Sequence, residues 1–201
     1  MNITAVIFDF GGVLIEWDPR NLYRRYFDDA ESMERFLEEI DFMEWNLLQD
    51  KGRPFAEGVA DLTAKFPQHA DLIRAYHEHW EESIGEPITP VIEILKRVKA
   101  AGWPVYGLSN WSMETFPITR EKHRFFDLLD DYLLSGEVKL VKPDPAIFQH
   151  MLDKIGRKPE ECVFIDDNPA NVVAARALNI VAIQYQSPEQ LERELQQLGI
   201  L

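Results

Sequence analysis

The stretch Ala5-Val6-Ile7-Phe8-Asp9-Phe10-Gly11-Gly12-Val13 constrains this chain more than any other. A short apolar run of this kind reads as a strand buried on both faces. It stops at an acid, and two glycines follow at once. In open α/β sheets, ligands gather at the carboxyl ends of the strands, which is where Asp9 would sit. The glycines let the backbone turn and come close to a bound group. An Asp at a strand end is also a common turn former. From this stretch alone, both readings of Asp9 stand.

The rest of the chain falls into two regimes. From Asp18-Pro19, which reads as an N-cap followed by a first-turn proline, apolar residues recur at helical spacing as far as about Gly85. Residues 17–85 are therefore expected to form a set of short helices inserted after the first strand. Beyond Gly85-Glu86-Pro87, helical and strand-like segments alternate. Strands are expected at Val105–Ser109, Asp131–Ser135, Cys162–Ile165 and Ile180–Ile183. Helices are expected from Thr89, Met113, Pro145, Pro169 and Pro188, with Pro117 disturbing the second. Alternation of this kind predicts an α/β fold of Rossmann type, with about five parallel strands and helices on both faces. The expected division is a core of residues 1–16 and 86–201 and an inserted helical segment, 17–85.

Composition narrows the function classes. A hydrophobic fraction of 46%, with 12 Phe, 6 Tyr and 5 Trp, supplies a sizeable core. The net charge of −14, with no basic stripe, argues against nucleic acid and anionic membranes as partners. An anionic substrate must then be held by local positive charge. The single cysteine, Cys162, lies in an apolar run and rules out an internal disulfide framework. No stretch reads as a signal or membrane-spanning segment, so a cytoplasmic location is expected. The sequence carries no feature that sets an oligomeric state.

Parallel strands place their carboxyl ends on one edge. Asp9, Ser109-Asn110 and Asp166-Asp167 end three of the expected strands, and Lys142-Pro143-Asp144 precedes a helix on the same edge. Each has an ordinary reading: helix caps for Ser109-Asn110, Asp144 and Asp166-Asp167, and a solvated loop lysine for Lys142. Together they suit phosphoryl transfer. A carboxylate can act as nucleophile, and the transferred group needs positive and hydrogen-bonding partners. Lys142, Ser109 and Asn110 offer these. Three acids at one edge would repel unless a cation sat among them, and an oxygen-only set suits Mg²⁺.

Phe8-Asp9-Phe10-Gly11-Gly12-Val13, Leu108-Ser109-Asn110, Val141-Lys142-Pro143-Asp144-Pro145 and Phe164-Ile165-Asp166-Asp167-Asn168 resemble, in order and spacing, the four motifs of the haloacid dehalogenase superfamily. The helical insertion resembles that superfamily's small cap. Sugar-phosphate phosphatases and the phosphatase domain of soluble epoxide hydrolase are the nearest look-alikes. The resemblance implies a Mg²⁺-dependent phosphomonoester hydrolase acting on a small phosphorylated molecule. Asp9 would be the nucleophile and a metal ligand. The Gly11 carbonyl and Asp167 would also bind the metal, with Asp166 assisting. Ser109 and Asn110 would hold phosphate oxygens, and Lys142 would neutralise the phosphoryl group and Asp9.

The pattern departs from the family at one place. Superfamily phosphatases usually carry a second Asp two residues after the nucleophile, as general acid and base, and that position here is Gly11. Good leaving groups need such an acid less, and Asp18 is a nearby candidate replacement. Two alternatives follow: a 2-haloacid dehalogenase using Asp9 without metal, and a catalytically weak binding or scaffold protein. The paired acids Asp166-Asp167 favour the metal-dependent phosphatase over the dehalogenase. Trp17, Arg20, Arg24, Arg25, Phe42 and Trp45 are candidates for facing the substrate, although aromatic residues at helical spacing usually belong to the core of such a segment.

Overall fold

The computed structural model describes residues 3–201, so the first two residues of the expected 1–16 segment lie outside the described residues. The strands are β1 (Ala5–Phe8), β2 (Ile15–Trp17), β3 (Ile84–Pro87), β4 (Val105–Ser109), β5 (Asp131–Leu134), β6 (Cys162–Asp166) and β7 (Val181–Gln184). Five helices lie between β2 and β3: α1 (Pro19–Tyr23), α2 (Ala30–Glu39), α3 (Phe42–Asp50), α4 (Phe55–Lys65) and α5 (Ala70–Glu78). The others are α6 (Thr89–Ala100), α7 (Phe116–Lys122), α8 (Ser135–Val138), α9 (Pro145–Ile155), α10 (Pro169–Ala177) and α11 (Pro188–Gln197).

A five-stranded parallel sheet runs in the order β5-β4-β1-β6-β7, as the alternation predicts. β1 is central, with Val6 opposite Val105 on one side and Val163 on the other. Its side chains alternate between two cores, as the pleat requires. Val6 and Phe8 join Val163 and Ile165 against α6 and α11. Ala5 and Ile7 join Cys162 and Phe164 against α9 and α10. Burial on both faces explains why β1 and β6 are uninterrupted apolar runs. The chain first builds to one side of β1, through β4 and β5, and then crosses to the other through β6 and β7. That reversal leaves a crevice at the carboxyl ends of β1, β4 and β6.

Two features differ from expectation. The helical segment is bracketed by a small antiparallel ribbon, β2 against β3, with Ile15 opposite Pro87 and Trp17 opposite Ile84. Strands of three and four residues carry too little alternation to register as a period. The helix expected from Met113 begins at Phe116, and Pro117 stands in its first turn. There the missing N–H costs nothing, so this proline starts the helix instead of disturbing it.

Phe10 follows Asp9 and turns away from the crevice into an aromatic cluster with Trp111, Phe116, Phe126 and Tyr132. Its ring packs against Gly107 of β4. A Cβ built at Gly107 would lie 2.3 Å from ring atoms of Phe10. Neither the interior strand β4 nor the fully buried ring can retreat easily. Gly107→Ala is therefore expected to destabilise the protein by about 1–3 kcal/mol, read as a fall in the urea midpoint at unchanged m-value.

Candidate active site

The strand ends deliver Asp9, Ser109 and Asp166, and the following loops deliver Asn110, Asp167 and Lys142. Lys142 lies at the centre. It is 3% exposed, and its ammonium is 2.7 Å from Asp9 Oδ1, 2.7 Å from Asp166 Oδ2 and 3.0 Å from the Leu108 carbonyl. Three donors meet three acceptors, so no proton of the ammonium is left over. Asn110 fixes the Lys142 backbone by accepting its N–H at 2.8 Å and donating to its carbonyl at 3.0 Å. Its carboxamide therefore ties the β4 end to the Lys142 backbone.

Asp166 is fully buried and fully engaged. Besides Lys142 it accepts from the Asn168 N–H at 2.8 Å and from the Asn171 amide at 3.0 and 3.1 Å. Asp9 is different. Oδ1 receives Lys142 and the Phe10 N–H, the latter at 2.7 Å. Among the described residues nothing donates to Oδ2, which is the oxygen left for chemistry. Asp167 lies against the glycine turn. A Cβ at Gly12, whose φ is +74°, would lie 2.5 Å from Asp167 Oδ2. Only glycine suits that position, on steric and conformational grounds together.

Asp9, Asp166 and Asp167 each offer a carboxylate oxygen within 4.8 Å of the others. One ammonium does not balance three carboxylates. Burial pushes the Asp9 carboxyl up to about 8; Lys142 opposes the rise, while Asp166 and Asp167 add to it. Burial likewise raises Asp167, with the charge of Asp166 next. Burial works against the Lys142 ammonium, but Asp9 and Asp166 outweigh it and hold its pKa above the ordinary value. The excess negative charge and the hard oxygen donors fit a divalent cation.

The crevice is a cavity of about 310 Å³. Its floor carries Asp9, Gly11, Gly12, Ser109, Asn110, Lys142 and Asp167, so the sequence motifs do converge there. Among the candidate substrate-facing residues, only Trp17 reaches it. Phe42 and Trp45 are buried instead with Tyr76 and Phe55 inside the helical segment. Arg20 pairs with Glu34 and Asp18, and Arg25 with Glu82. Arg24 is exposed and does not line the cavity. Asp18 caps α1 by accepting the Arg20 N–H at 2.9 Å, so it is not the replacement acid.

The walls hold residues the sequence did not single out. Met43, Asn46, Leu47 and Asp50 reach the cavity from α3, and Trp80 and Trp111 complete an apolar side. The α3 set has the spacing i, i+3, i+4, i+7, which is one helical face. That spacing is the signal for this face, while Phe42 and Trp45 on the neighbouring face carry the stronger apolar stripe.

The description haloacid dehalogenase-like hydrolase matches residues 3–179. A sesquiterpene phosphatase of Aspergillus oryzae is 29% identical over 96% of this chain and 95% of its own length. A phosphorylated carbohydrates phosphatase of Thermotoga maritima is 28% identical over 89% of this chain and 83% of its own. Two longer curated relatives are matched over only about a fifth of their length. Among solved structures, a HAD family enzyme of Bacteroides thetaiotaomicron, in complex with magnesium and inorganic phosphate, superposes with a TM-score of 0.68 at 26% identity over 92% of this chain and 94% of that one. With its motifs gathered at one sheet edge, the chain belongs to the haloacid dehalogenase-like hydrolase family.

Proposed function

We propose that this hydrolase is a Mg²⁺-dependent phosphomonoester hydrolase that acts on a small phosphorylated metabolite through an aspartyl phosphate on Asp9. One observation carries the reading: three clustered carboxylates share one ammonium, and two of them, Asp9 and Asp167, line a cavity open to a small molecule. A 2-haloacid substrate needs no divalent cation, so that excess charge would serve no purpose in a dehalogenase. The phosphatase relatives and the magnesium–phosphate complex of the Bacteroides enzyme support the same choice.

Asp9 Oδ2 is the attacking oxygen, because Lys142 and the Phe10 N–H occupy Oδ1. Lys142 opposes the protonation that burial favours at Asp9, orients its carboxylate and offsets the charge of the arriving phosphoryl group. Ser109, through its hydroxyl, and Asn110, through its backbone N–H, bind phosphate oxygens. Asp9, the Gly11 carbonyl and Asp167 would hold Mg²⁺; Asp166 belongs to the same acidic group but acts chiefly by fixing Lys142. When bound, the ion supplies Lewis-acid stabilisation of charge on the phosphoryl oxygens. Residues 17–85 act as a cap over a core of 1–16 and 86–201. Their apolar wall of Trp17, Met43, Leu47 and Trp80 receives the organic part of the substrate. A sugar ring fits such a wall, as does the hydrocarbon group implied by the name of the Aspergillus relative.

Hydrolysis of p-nitrophenyl phosphate is expected with Mg²⁺ and is expected to vanish with EDTA. Asp9→Asn should lower kcat by at least about 10³-fold, as loss of a nucleophile does. Turnover that persists without metal, or chloride release from 2-chloropropionate, would overturn the reading. Lys142→Met should abolish activity and also cost about 3–5 kcal/mol of stability, since it leaves buried Asp166 without its cation. Chemical denaturation at neutral pH reads that loss.

A further inference from the structure

Gly11 leaves the proposed reaction without the group that protonates the leaving oxygen and activates water. Nothing in the packing forces that absence: a Cβ at Gly11 would meet only the Trp17 Cβ, at 3.9 Å. The acid must then come from elsewhere in the cavity. In an in-line displacement the leaving oxygen departs on the side away from the nucleophile. Asp9 rises from the sheet, so the leaving oxygen points toward the inserted helices.

Asp50 stands on that wall. It ends α3 and lines the same cavity as Asp9, Ser109 and Lys142. We propose that Asp50 is the general acid and base of this enzyme, replacing the carboxylate that Gly11 lacks. The proposal rests on the phosphatase reading above.

Its position is held from both sides of the crevice. Asn46, one helical turn earlier, donates to Asp50 Oδ2 at 2.9 Å. The Ser135 hydroxyl donates to the Asp50 carbonyl and also accepts the Trp111 N–H at 2.9 Å. Trp111 directly follows Ser109-Asn110, so one hydroxyl links the proposed acid to the phosphate-binding turn. The Ser112 backbone N–H faces the Asp50 carboxyl and favours its charged form. The other titratable group facing it is Tyr76 of α5, whose buried hydroxyl has no hydrogen-bond partner among the described residues.

The surroundings keep this carboxyl protonated. Among the described residues no cation pairs with it, and it lies at the negative end of the α3 dipole. Burial pushes it up to about 8, despite the Ser112 N–H. At neutral pH it therefore carries a proton to give. Asp18, paired with Arg20, does not line the cavity.

The protons balance over two steps. As Asp9 Oδ2 bonds to phosphorus and the ester P–O bond breaks, the Asp50 proton passes to the leaving oxygen and yields the alcohol. Asp50 is left as a carboxylate. It then takes a proton from the water that attacks phosphorus as the Asp9–phosphorus bond breaks. Phosphate leaves, and both side chains return to their starting states.

The test compares p-nitrophenyl phosphate with phenyl phosphate, a substrate of the same shape with a poorer leaving group, in saturating Mg²⁺. Asp50→Asn should lower kcat/KM for phenyl phosphate by about 10²–10⁴-fold and that for p-nitrophenyl phosphate far less. With p-nitrophenyl phosphate the variant should release one equivalent of nitrophenolate in a burst and accumulate phosphorylated Asp9. Asp50→Glu should recover part of the loss on phenyl phosphate. Equal losses on both substrates, or none on either, would overturn the assignment. A wild-type measurement stands independently of the variants' folding: across substituted phenyl phosphates, kcat/KM should depend weakly on phenol acidity, and a steep dependence would mean that no acid acts. A wild-type protein that turns over neither ester fails the phosphatase reading itself, and Asp50 with it.

Discussion

A buried lysine needs its counter-charges, and in this protein that requirement assembles the active site. The Lys142 ammonium spends its protons on Asp9, Asp166 and the Leu108 carbonyl. These acceptors come from the ends of three adjacent strands of one parallel sheet. Asn110 brings the lysine there by taking both polar groups of its backbone, while Asn171 and the Asn168 N–H hold Asp166 from behind. Removing one buried partner would leave another unpaired, which costs more than the pair contributes. The arrangement therefore resists loosening, and Asp9 inherits that rigidity. A nucleophile held by Oδ1 alone keeps its other oxygen aimed and available.

The sheet and its edge were legible in the sequence because burial on both faces writes strands as unbroken apolar runs. An acid or hydroxyl at the end of such a run then stands out, as Asp9, Ser109 and Asp166 do. The helical segment was legible as helices but not in its orientation. Periodicity gives an angle around the helix axis, not the identity of what each face meets. Phe42 and Trp45 follow the ordinary reading of aromatics at helical spacing and pack with Tyr76. The cavity takes the adjoining face, with Asn46 and Asp50. Asn110 was legible as a polar residue at a strand end, but its pairing spans 32 positions of sequence. No local pattern encodes such a bond. The ordinary reading was the right one for Asp18, a helix cap.

An acid on the inserted helices has a different physical meaning from one beside the nucleophile. A carboxyl at position 11 would be present whether or not α3 covered the crevice. Asp50 is in place only while its carbonyl meets Ser135 and its carboxyl meets Asn46. On the proposed reading, proton transfer depends on the same contacts that cover the crevice, so chemistry and cover are coupled through one residue. Asp9 and Asp167 already share this cavity, and a further acid at position 11 would share protons with Asp50, each displacing the other's titration. With glycine at position 11, a single carboxyl can stay protonated for the first step and ionised for the second. On this argument, Gly11 and Asp50 are two halves of one solution.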